Sequence, residues 1–166
     1  MIEQNILMVD DRPENLVALD ALLDSPDRNL IKAYSGNEAL MLMLKHSFAL
    51  ILLDVQMPRM DGFEVAELMR SNKKIQKIPI IFVTAISKED KYVFKGYECG
   101  AVDYLFKPIE PLVLRSKVDF FLDLDRSKRE LEAKLEASRR SEREFVEMLK
   151  QTDIGNMEAL KNMTSV

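Results

Sequence analysis

Five short stretches of mostly apolar residues recur along the first two thirds of the chain, and each one ends in polar residues. They cover residues 5–9, 30–34, 50–54, 78–83 and 101–106. Near-continuous apolar runs of this length are typical of strands that are buried on both faces of a parallel sheet. Helical patterns separate them, so the sequence predicts alternating strands and helices in one doubly wound α/β sheet.

Capping patterns mark the predicted helix starts. Ser35 and Asp61 each precede a glutamate by three residues, which is the spacing of a capping box. Asp11 is predicted to cap the first helix, because a proline follows it two residues later. Further helices are predicted over residues 87–99 and from about residue 109 onward.

Polar side chains follow four of the predicted strands at the point where each strand ends. Because the carboxyl ends of parallel strands share one edge of the sheet, we expect these side chains to lie close together. They are Asp10, Asp11, Asp54, Thr84 and Lys107.

This set of side chains suits phosphoryl chemistry. Three converging carboxylates repel one another, and a divalent cation relieves that repulsion. Oxygen ligands favour Mg²⁺, which readily shares its coordination shell with a phosphate. Lys107 supplies a positive charge for phosphoryl oxygens, Thr84 supplies a hydroxyl donor, and one free carboxylate can act as the nucleophile.

Each of these residues alone also has a purely structural interpretation. Asp10 and Asp11 can cap a helix, Lys107 with the following proline can end a strand, and Thr84 can be an ordinary β-branched strand residue. Asp54 can simply end its strand. Their coincidence at successive strand ends favours a functional site.

Composition limits the class of protein. The chain has 166 residues, 47% of them hydrophobic, which is enough for one packed domain with residues to spare. A formal charge of -4 gives no reason to expect direct binding to nucleic acid. The single cysteine, Cys99, cannot form an internal disulfide, so a reducing compartment such as the cytoplasm is predicted. No apolar run approaches the roughly 18 residues of a membrane span, so no membrane segment is predicted.

From residue 6 to about residue 122, the chain resembles the receiver domain of two-component response regulators. The resemblance is carried by Asp10-Asp11, by the run D-V-Q-M-P-R-M-D-G that begins at Asp54, by Thr84-Ala85 and by Lys107-Pro108. It implies a flavodoxin-like (βα)5 fold with strand order 2-1-3-4-5. It also implies that Asp54 accepts a phosphoryl group from a histidine kinase, a histidine phosphotransfer protein or a small donor such as acetyl phosphate.

The resemblance further implies a set of metal ligands. Asp11, Asp54 and the backbone carbonyl of Gln56 would bind Mg²⁺ directly, and Asp10 would act mainly through a metal-bound water. The chain would then be a phosphoacceptor, with Mg²⁺-dependent self-phosphorylation and autodephosphorylation, and not an enzyme acting on a separate substrate.

The remaining roles implied by the resemblance concern the response to phosphorylation. Lys107 would pair with Asp54 before phosphorylation and with a phosphoryl oxygen afterwards. Thr84 would turn its hydroxyl toward that oxygen, and Tyr104 would turn inward behind it as the switch aromatic. An aromatic residue in a core strand can also be simple packing, so Tyr104 depends on the resemblance alone.

The C-terminal part departs from a minimal receiver. After Pro111 the next helix breaker is Gly155, so a helix of roughly forty residues is predicted. A heptad pattern interrupted by Lys128, Ser138 and Glu142 favours a parallel dimeric coiled coil. Its core positions are Phe121, Leu124, Leu131, Leu135, Phe145 and Leu149.

These observations divide the chain into three parts. Residues 1–122 are expected to form the receiver, and residues 123–153 a helical stalk that makes a homodimer. Residues 154–166 are expected to be a poorly structured tail or the start of a missing output domain.

Two classes of function remain open from the sequence. In the first, phosphorylation of Asp54 drives a conformational switch that is relayed to the stalk or to an output module. In the second, the chain is a constitutive dimerisation or scaffold module that signals by protein binding without phosphorylation. A small-molecule enzyme is disfavoured, because the sequence has no glycine-rich phosphate loop and no candidate acid or base histidine.

Overall fold

The computed structural model describes residues 3–85 and 103–163 of the chain. These residues form five strands and four helices, which we label in chain order. They are β1 (Gln4–Val9), α1 (Pro13–Leu23), β2 (Arg28–Ala33), α2 (Gly36–Lys45), β3 (Leu50–Asp54), α3 (Gly62–Arg70), β4 (Ile80–Thr84), β5 (Asp103–Phe106) and α4 (Pro111–Met163).

The strands form one parallel sheet in the order β2-β1-β3-β4-β5. The predicted flavodoxin-like fold with strand order 2-1-3-4-5 is therefore confirmed. The register pairs Val9 with Leu53 and Thr84 with Phe106. The residues that follow these pairs consequently lie at the same edge of the sheet.

The sheet separates two hydrophobic cores. The α2–α3 core lies on one face and includes Phe82 and Tyr104, together with buried residues of α2 and α3. The α1–α4 core lies on the other face and includes Leu105, together with buried residues of α1 and α4. Burial on both faces explains why β3 and β4 read as continuous apolar runs, because each of their residues is buried.

Two of the three predicted helix caps are confirmed. The Ser35 side chain accepts a hydrogen bond from the Glu38 N–H, and the Asp61 carboxylate accepts one from the Glu64 N–H. The prediction for α1 is wrong, because its N-cap residue is Arg12 and no side chain caps it. Asp11 instead stays one residue outside the helix, where its carboxylate joins the other acidic groups at the sheet edge.

The helix predicted over residues 87–99 and the predicted start of the fifth strand at residue 101 lie outside the described residues. The C-terminal helix, predicted as the fifth, is for this reason labelled α4 here.

Helix α4 is 53 residues long and runs through Gly155 to Met163, so the end predicted at Gly155 is wrong. A glycine in the middle of a helix costs only about 1 kcal/mol, which a long helix tolerates. The chain divides into two compact units, residues 1–125 and residues 126–166, and α4 contributes to both.

The heptad assigned to α4 needs one correction. Phe121 is buried in the α1–α4 core and does not belong to an exposed seam. Leu124 and the later apolar positions of the predicted seam are exposed.

No helix in the described part of the chain combines the length and apolar character needed to cross a membrane.

Candidate functional site

The fold brings the acidic residues singled out from the sequence to one edge of the sheet. Asp10 follows β1 directly, and Asp54 is the last residue of the neighbouring strand β3. One carboxylate oxygen from each of Asp10, Asp11 and Asp54 lies within 4.8 Å of the others. Asp10 and Asp54 are buried, and Asp11 is half-buried. The strand ends thus hold three carboxylates together in a partly desolvated place.

Lys107 supplies the positive charge of this cluster. Its Nζ atom lies 3.3 Å from Oδ2 of Asp10 and 3.7 Å from Oδ1 of Asp54. Its backbone N–H donates to the carbonyl oxygen of Thr84 at 2.8 Å, so the ends of β4 and β5 are joined by their main chains. The ammonium group therefore stands between two of the three carboxylates.

The Asp10 carboxylate is held by further donors that were not foreseen. The Arg12 N–H donates to Oδ1 at 3.0 Å, and Nδ2 of Asn15 donates to Oδ2 at 3.0 Å. Asn15 was not singled out from the sequence, although its place five residues after Asp10 puts it in the first turn of α1, above the same strand end. That spacing is the signal by which it could have been found.

Burial raises the pKa of the Asp54 carboxyl group, so this group is a weaker acid than an exposed aspartate. Desolvation is the main cause that raises the pKa of Asp54, from 3.8 to about 6, and the negative charge of Asp10 acts in the same direction. The Lys107 charge lowers the pKa, the Asp11 charge raises it, and a hydrogen bond from the Gln56 main chain lowers it. Positive charge brought close to Asp54 would stabilise its ionised carboxylate.

The donor set fits a magnesium ion. Three carboxylates and one ammonium leave the cluster with a net negative charge, and a divalent cation would neutralise it. All the available ligand atoms are oxygen, which is the element that Mg²⁺ prefers. The acidic cluster at the strand ends is thus suited to Mg²⁺.

The other predicted site residues lie around this cluster. Thr84 ends β4 at the same edge of the sheet and is buried, whereas the Gln56 side chain is exposed in the loop after β3. Tyr104 is packed inward, with its ring stacked on Phe106 and tilted against Phe82 at centroid distances of 5.7 and 5.4 Å. From α4, Lys117 Nζ donates to the Tyr104 carbonyl oxygen at 3.3 Å and to Asp103 at 2.7 Å.

The loop after Asp54 is shaped by two backbone features. Gly62 lies so close to β3 that a Cβ atom on it would stand 2.3 Å from the Asp54 carbonyl oxygen, and its N–H donates to the Val55 carbonyl at 2.9 Å. Arg59 has a φ of 70°, which is left-handed backbone that L-residues other than glycine seldom adopt. The sequence indicated a turn here but not this close approach.

Comparison with known proteins agrees with the geometry. The family model for the response regulator receiver domain matches residues 6–119. The chemotaxis protein CheY4 of Vibrio cholerae superposes with a TM-score of 0.67 at 28% identity, over 72% of this chain and 99% of that protein. The signal receiver domain of a signal transduction histidine kinase from Syntrophus aciditrophicus gives 0.66 at 31% identity, over 72% and 90%.

Curated relatives match the same part of the chain. A Vibrio cholerae protein named "Probable cyclic di-GMP phosphodiesterase" is 40% identical over 124 residues, which is 74% of this chain and 27% of that protein. The transcriptional regulatory protein SrrA of Staphylococcus aureus is 38% identical over 118 residues, which is 70% of this chain and 47% of that protein. The matched region thus spans between about a quarter and half of these relatives.

Proposed function

The chain belongs to the response regulator receiver domain family, and from this we propose that Asp54 accepts a phosphoryl group from the phosphohistidine of a histidine kinase or a histidine phosphotransfer protein. The observation that carries the proposal is the position of Lys107 Nζ, within 4 Å of both Asp10 and Asp54 beside a third carboxylate. Phosphoryl transfer depends mainly on alignment and charge neutralisation, and the position of Lys107 beside the carboxylates supports such a role.

In the proposed reaction, an Asp54 carboxylate oxygen attacks the phosphorus atom of the donor. An O–P bond forms, the N–P bond of the phosphohistidine breaks, and the imidazole leaves with the electron pair of that bond. Water later cleaves the acyl phosphate, which returns the Asp54 carboxylate and inorganic phosphate.

The surrounding residues have defined parts in this reaction. Asp11, Asp54 and the Gln56 carbonyl would hold Mg²⁺, which neutralises charge on the phosphoryl oxygens. Asp10 would act mainly through a metal-bound water, with its carboxylate oriented by the hydrogen bonds from Arg12, Asn15 and Lys107. Lys107 exchanges the Asp54 carboxylate for a phosphoryl oxygen. We place this reaction in the cytoplasm, the compartment that the sequence predicts.

The response to phosphorylation would pass through Thr84 and Tyr104. Thr84 is buried beside β3 and is joined through its carbonyl oxygen to the Lys107 N–H, so it can sense a new charge at Asp54. Tyr104 lies three residues before Lys107, with its ring packed between Phe82 and Phe106. We propose these two side chains as the switch.

Mass spectrometry of the intact chain tests the phosphoacceptor. Incubation with Mg²⁺ and acetyl phosphate should add one acid-labile phosphoryl group to the wild type and none to Asp54→Asn. Asp61→Asn is the matched control, because Asp61 is a nearby carboxylate and asparagine preserves its capping role. Phosphoryl transfer to the Asp54→Asn variant would contradict the proposal, and an unlabelled wild type would favour the scaffold module.

We further propose that residues 123–153 form a stalk through which two chains dimerise and through which the signal is relayed. Within the unit of residues 126–166, Leu131, Leu135, Phe145 and Leu149 are exposed at 68, 49, 62 and 49%. Their near-heptad spacing places these side chains on one side of the helix, and a lone helix is not stabilised by exposing them to water. Residues beyond 153 would then begin an output module, whose activity the proposal leaves unassigned because the curated relatives carry different names.

Light scattering tests the dimer. The wild type should have the mass of two chains, and Leu131→Glu with Leu135→Glu should reduce it to one. Leu68→Glu is the control, because Leu68 is a comparably exposed leucine on α3. Repeating the measurement with Mg²⁺ and beryllofluoride separates a phosphorylation-dependent dimer from a permanent one, and a monomer under both conditions would exclude the stalk.

A further inference from the structure

Asn15 is the one polar side chain of α1 that is hydrogen-bonded to the acidic cluster, as far as the described residues show. Its Nδ2 atom donates to Oδ2 of Asp10 at 3.0 Å. It borders a cavity of about 280 Å³ that Leu19, Leu22 and Ile109 also line. Asn15 therefore reaches the cluster from the helix, while the acidic residues reach it from the strands.

Two donors converge on the same oxygen of Asp10. Oδ2 accepts from Asn15 Nδ2 at 3.0 Å and from Lys107 Nζ at 3.3 Å, while Oδ1 accepts from the Arg12 N–H at 3.0 Å. Arg12 and Asn15 fix the carboxylate plane through one backbone and one side-chain donor on different oxygens. Asp10 thus remains oriented when Lys107 leaves it.

The charge of the group that donates to Asp10 matters as much as its position. A second cation beside Asp10 would hold the carboxylate equally well, but it would also reduce the negative charge that attracts a divalent ion. An amide orients the carboxylate through a hydrogen bond and adds no net charge. Asparagine is therefore suited to hold an acidic residue in a cation site.

We infer that Asn15 is a positioning residue for Mg²⁺ binding. It keeps the Asp10 carboxylate in place when the Lys107 ammonium group leaves Asp10 and Asp54 to contact a phosphoryl oxygen. The inference rests on the proposed function, because it assumes that Asp11 and Asp54 hold Mg²⁺ and that Asp10 acts on the ion through a metal-bound water. Asn15 touches neither the metal nor the phosphoryl group, and it acts through Asp10.

The test compares Asn15→Leu with Asn37→Leu. Leucine removes the amide, and the cavity beside Leu19 and Leu22 accommodates its side chain. Asn37 is an exposed asparagine in the first turn of α2, so its replacement controls for the same change of residue type at a helix start. Mg²⁺ is titrated into each variant of the 166-residue chain by calorimetry, with no phosphoryl donor present.

We expect Asn15→Leu to raise the Mg²⁺ dissociation constant about 10-fold, the lower end of the effect of lost partners behind metal ligands, and Asn37→Leu to leave it unchanged. Saturating Mg²⁺ should then restore phosphorylation of Asn15→Leu by acetyl phosphate to within about twofold of the wild type. An unchanged dissociation constant would overturn the inference. So would a loss of phosphorylation that saturating Mg²⁺ fails to restore, because that result indicates general damage to the site.

A measurement on the wild type covers the case in which Asn15→Leu does not fold. The Asn15 side-chain amide protons should exchange slowly with solvent in nuclear magnetic resonance spectra, both with and without Mg²⁺ and beryllofluoride. Fast exchange in the beryllofluoride state would overturn the inference, since Asp10 would then have lost its amide partner. Calorimetry tests the role of Asn15 in Mg²⁺ binding, and phosphorylation tests Asp54 as the phosphoacceptor. Failure of Asp54 to become phosphorylated would not change the calorimetric result, so the two proposals can be contradicted separately.

Discussion

Gly62 and Asp54 are in van der Waals contact through their main chains, so closely that a Cβ atom on Gly62 would lie 2.3 Å from the Asp54 carbonyl oxygen. The first residue of α3 thus packs directly on the end of β3, and the Gly62 N–H closes the loop by donating to the Val55 carbonyl. The position of the phosphoacceptor therefore depends on a residue with no side chain.

Replacing Gly62 with alanine should displace the end of β3. The three nearest atoms, which are the Asp54 carbonyl oxygen and carbon and Val55 Cα, belong to the main chain and cannot rotate away, so we expect a loss of about 2 kcal/mol in the free energy of unfolding. Phosphorylation of Asp54 should slow as well. Gly155→Ala is the matched control, since open space surrounds Gly155 inside the C-terminal part of α4 and alanine should stabilise the helix. A fully stable Gly62→Ala protein in urea titration would contradict this account.

Arg59 should be better replaced by glycine than by alanine. Its φ of 70° places an L-residue in left-handed backbone, which costs roughly 1–2 kcal/mol, and glycine removes that cost at some loss of chain entropy. We expect Arg59→Gly to raise the free energy of unfolding by up to about 1 kcal/mol. Arg59→Ala, which keeps the strain and removes the side chain, should resemble the wild type. Equal effects of the two substitutions on the free energy of unfolding would contradict the backbone strain assigned to Arg59.

Stability in Mg²⁺-free buffer should fall with rising pH because of Asp54. Its pKa in the folded protein is about 6, above the 3.8 of an unperturbed carboxyl, so the folded state binds more protons than the unfolded state between these values. The free energy of unfolding should therefore decrease from about pH 4 to about pH 6, by at most about 3 kcal/mol.

The Asp54→Asn variant isolates this contribution. It should lack the pH-dependent decrease and be more stable than the wild type at pH 7 when chelator is present, and the two proteins should converge toward pH 4. Adding Mg²⁺ should stabilise the wild type much more than the variant. Parallel pH profiles of the two proteins in chelator would exclude burial of an ionised Asp54 as the cause.

Gln4 should be intolerant of a negative charge. Its buried Nε2 donates to the Leu122 carbonyl oxygen at 2.8 Å and to Asp125 at 2.9 Å. Its Oε1 atom has no hydrogen-bond partner within the described part of the chain. Gln4→Glu replaces both donors by a carboxylate facing two acceptors, so we expect a loss of at least about 2 kcal/mol at pH 7.

The neighbouring amide provides the control for Gln4. Asn5 bonds the Ser47 carbonyl oxygen and Asn29 in an exposed setting, so Asn5→Asp should cost clearly less in the same urea titration. Asp125→Asn should recover part of the loss in Gln4→Glu, because it removes one of the opposing charges. Equal losses for Gln4→Glu and Asn5→Asp would argue against a specific role of the contact with α4.

The features predicted correctly from the sequence are those set by local patterns. Apolar runs located the strands, although β2 begins at Arg28 and is only half-buried, and β4 begins at Ile80. The capping residues Ser35 and Asp61 marked α2 and α3. Because strand order and parallel pairing bring the carboxyl ends together, the residues that follow the strands could be assembled into a site before any distance was known.

The features missed are those decided by contacts between distant residues. The heptad pattern could not show that Phe121 packs under the sheet, because periodicity marks an apolar helix face but not whether that face meets the same chain's sheet or a second helix. Neither Asp11 nor Arg12 can be chosen as the cap of α1 from the sequence, since the choice depends on whether Asp11 turns toward Asp54. The spacing of Asn15 after Asp10 places it near the strand end, but the bond between the two side chains depends on how α1 docks against β1.

The partition of the molecule by its sheet has a practical consequence for redesign. The Tyr104 ring belongs to the α2–α3 core, whereas the buried residues of α4 belong to the α1–α4 core on the other face. In the described residues, the ring and the helix are connected across the sheet through β5, by way of the hydrogen bond from Lys117 to the Tyr104 carbonyl oxygen. Substitutions in separate cores should add independently. An engineer could thus repack α4 for a new fused sensor or reporter without rebuilding the aromatic cluster behind the acidic site.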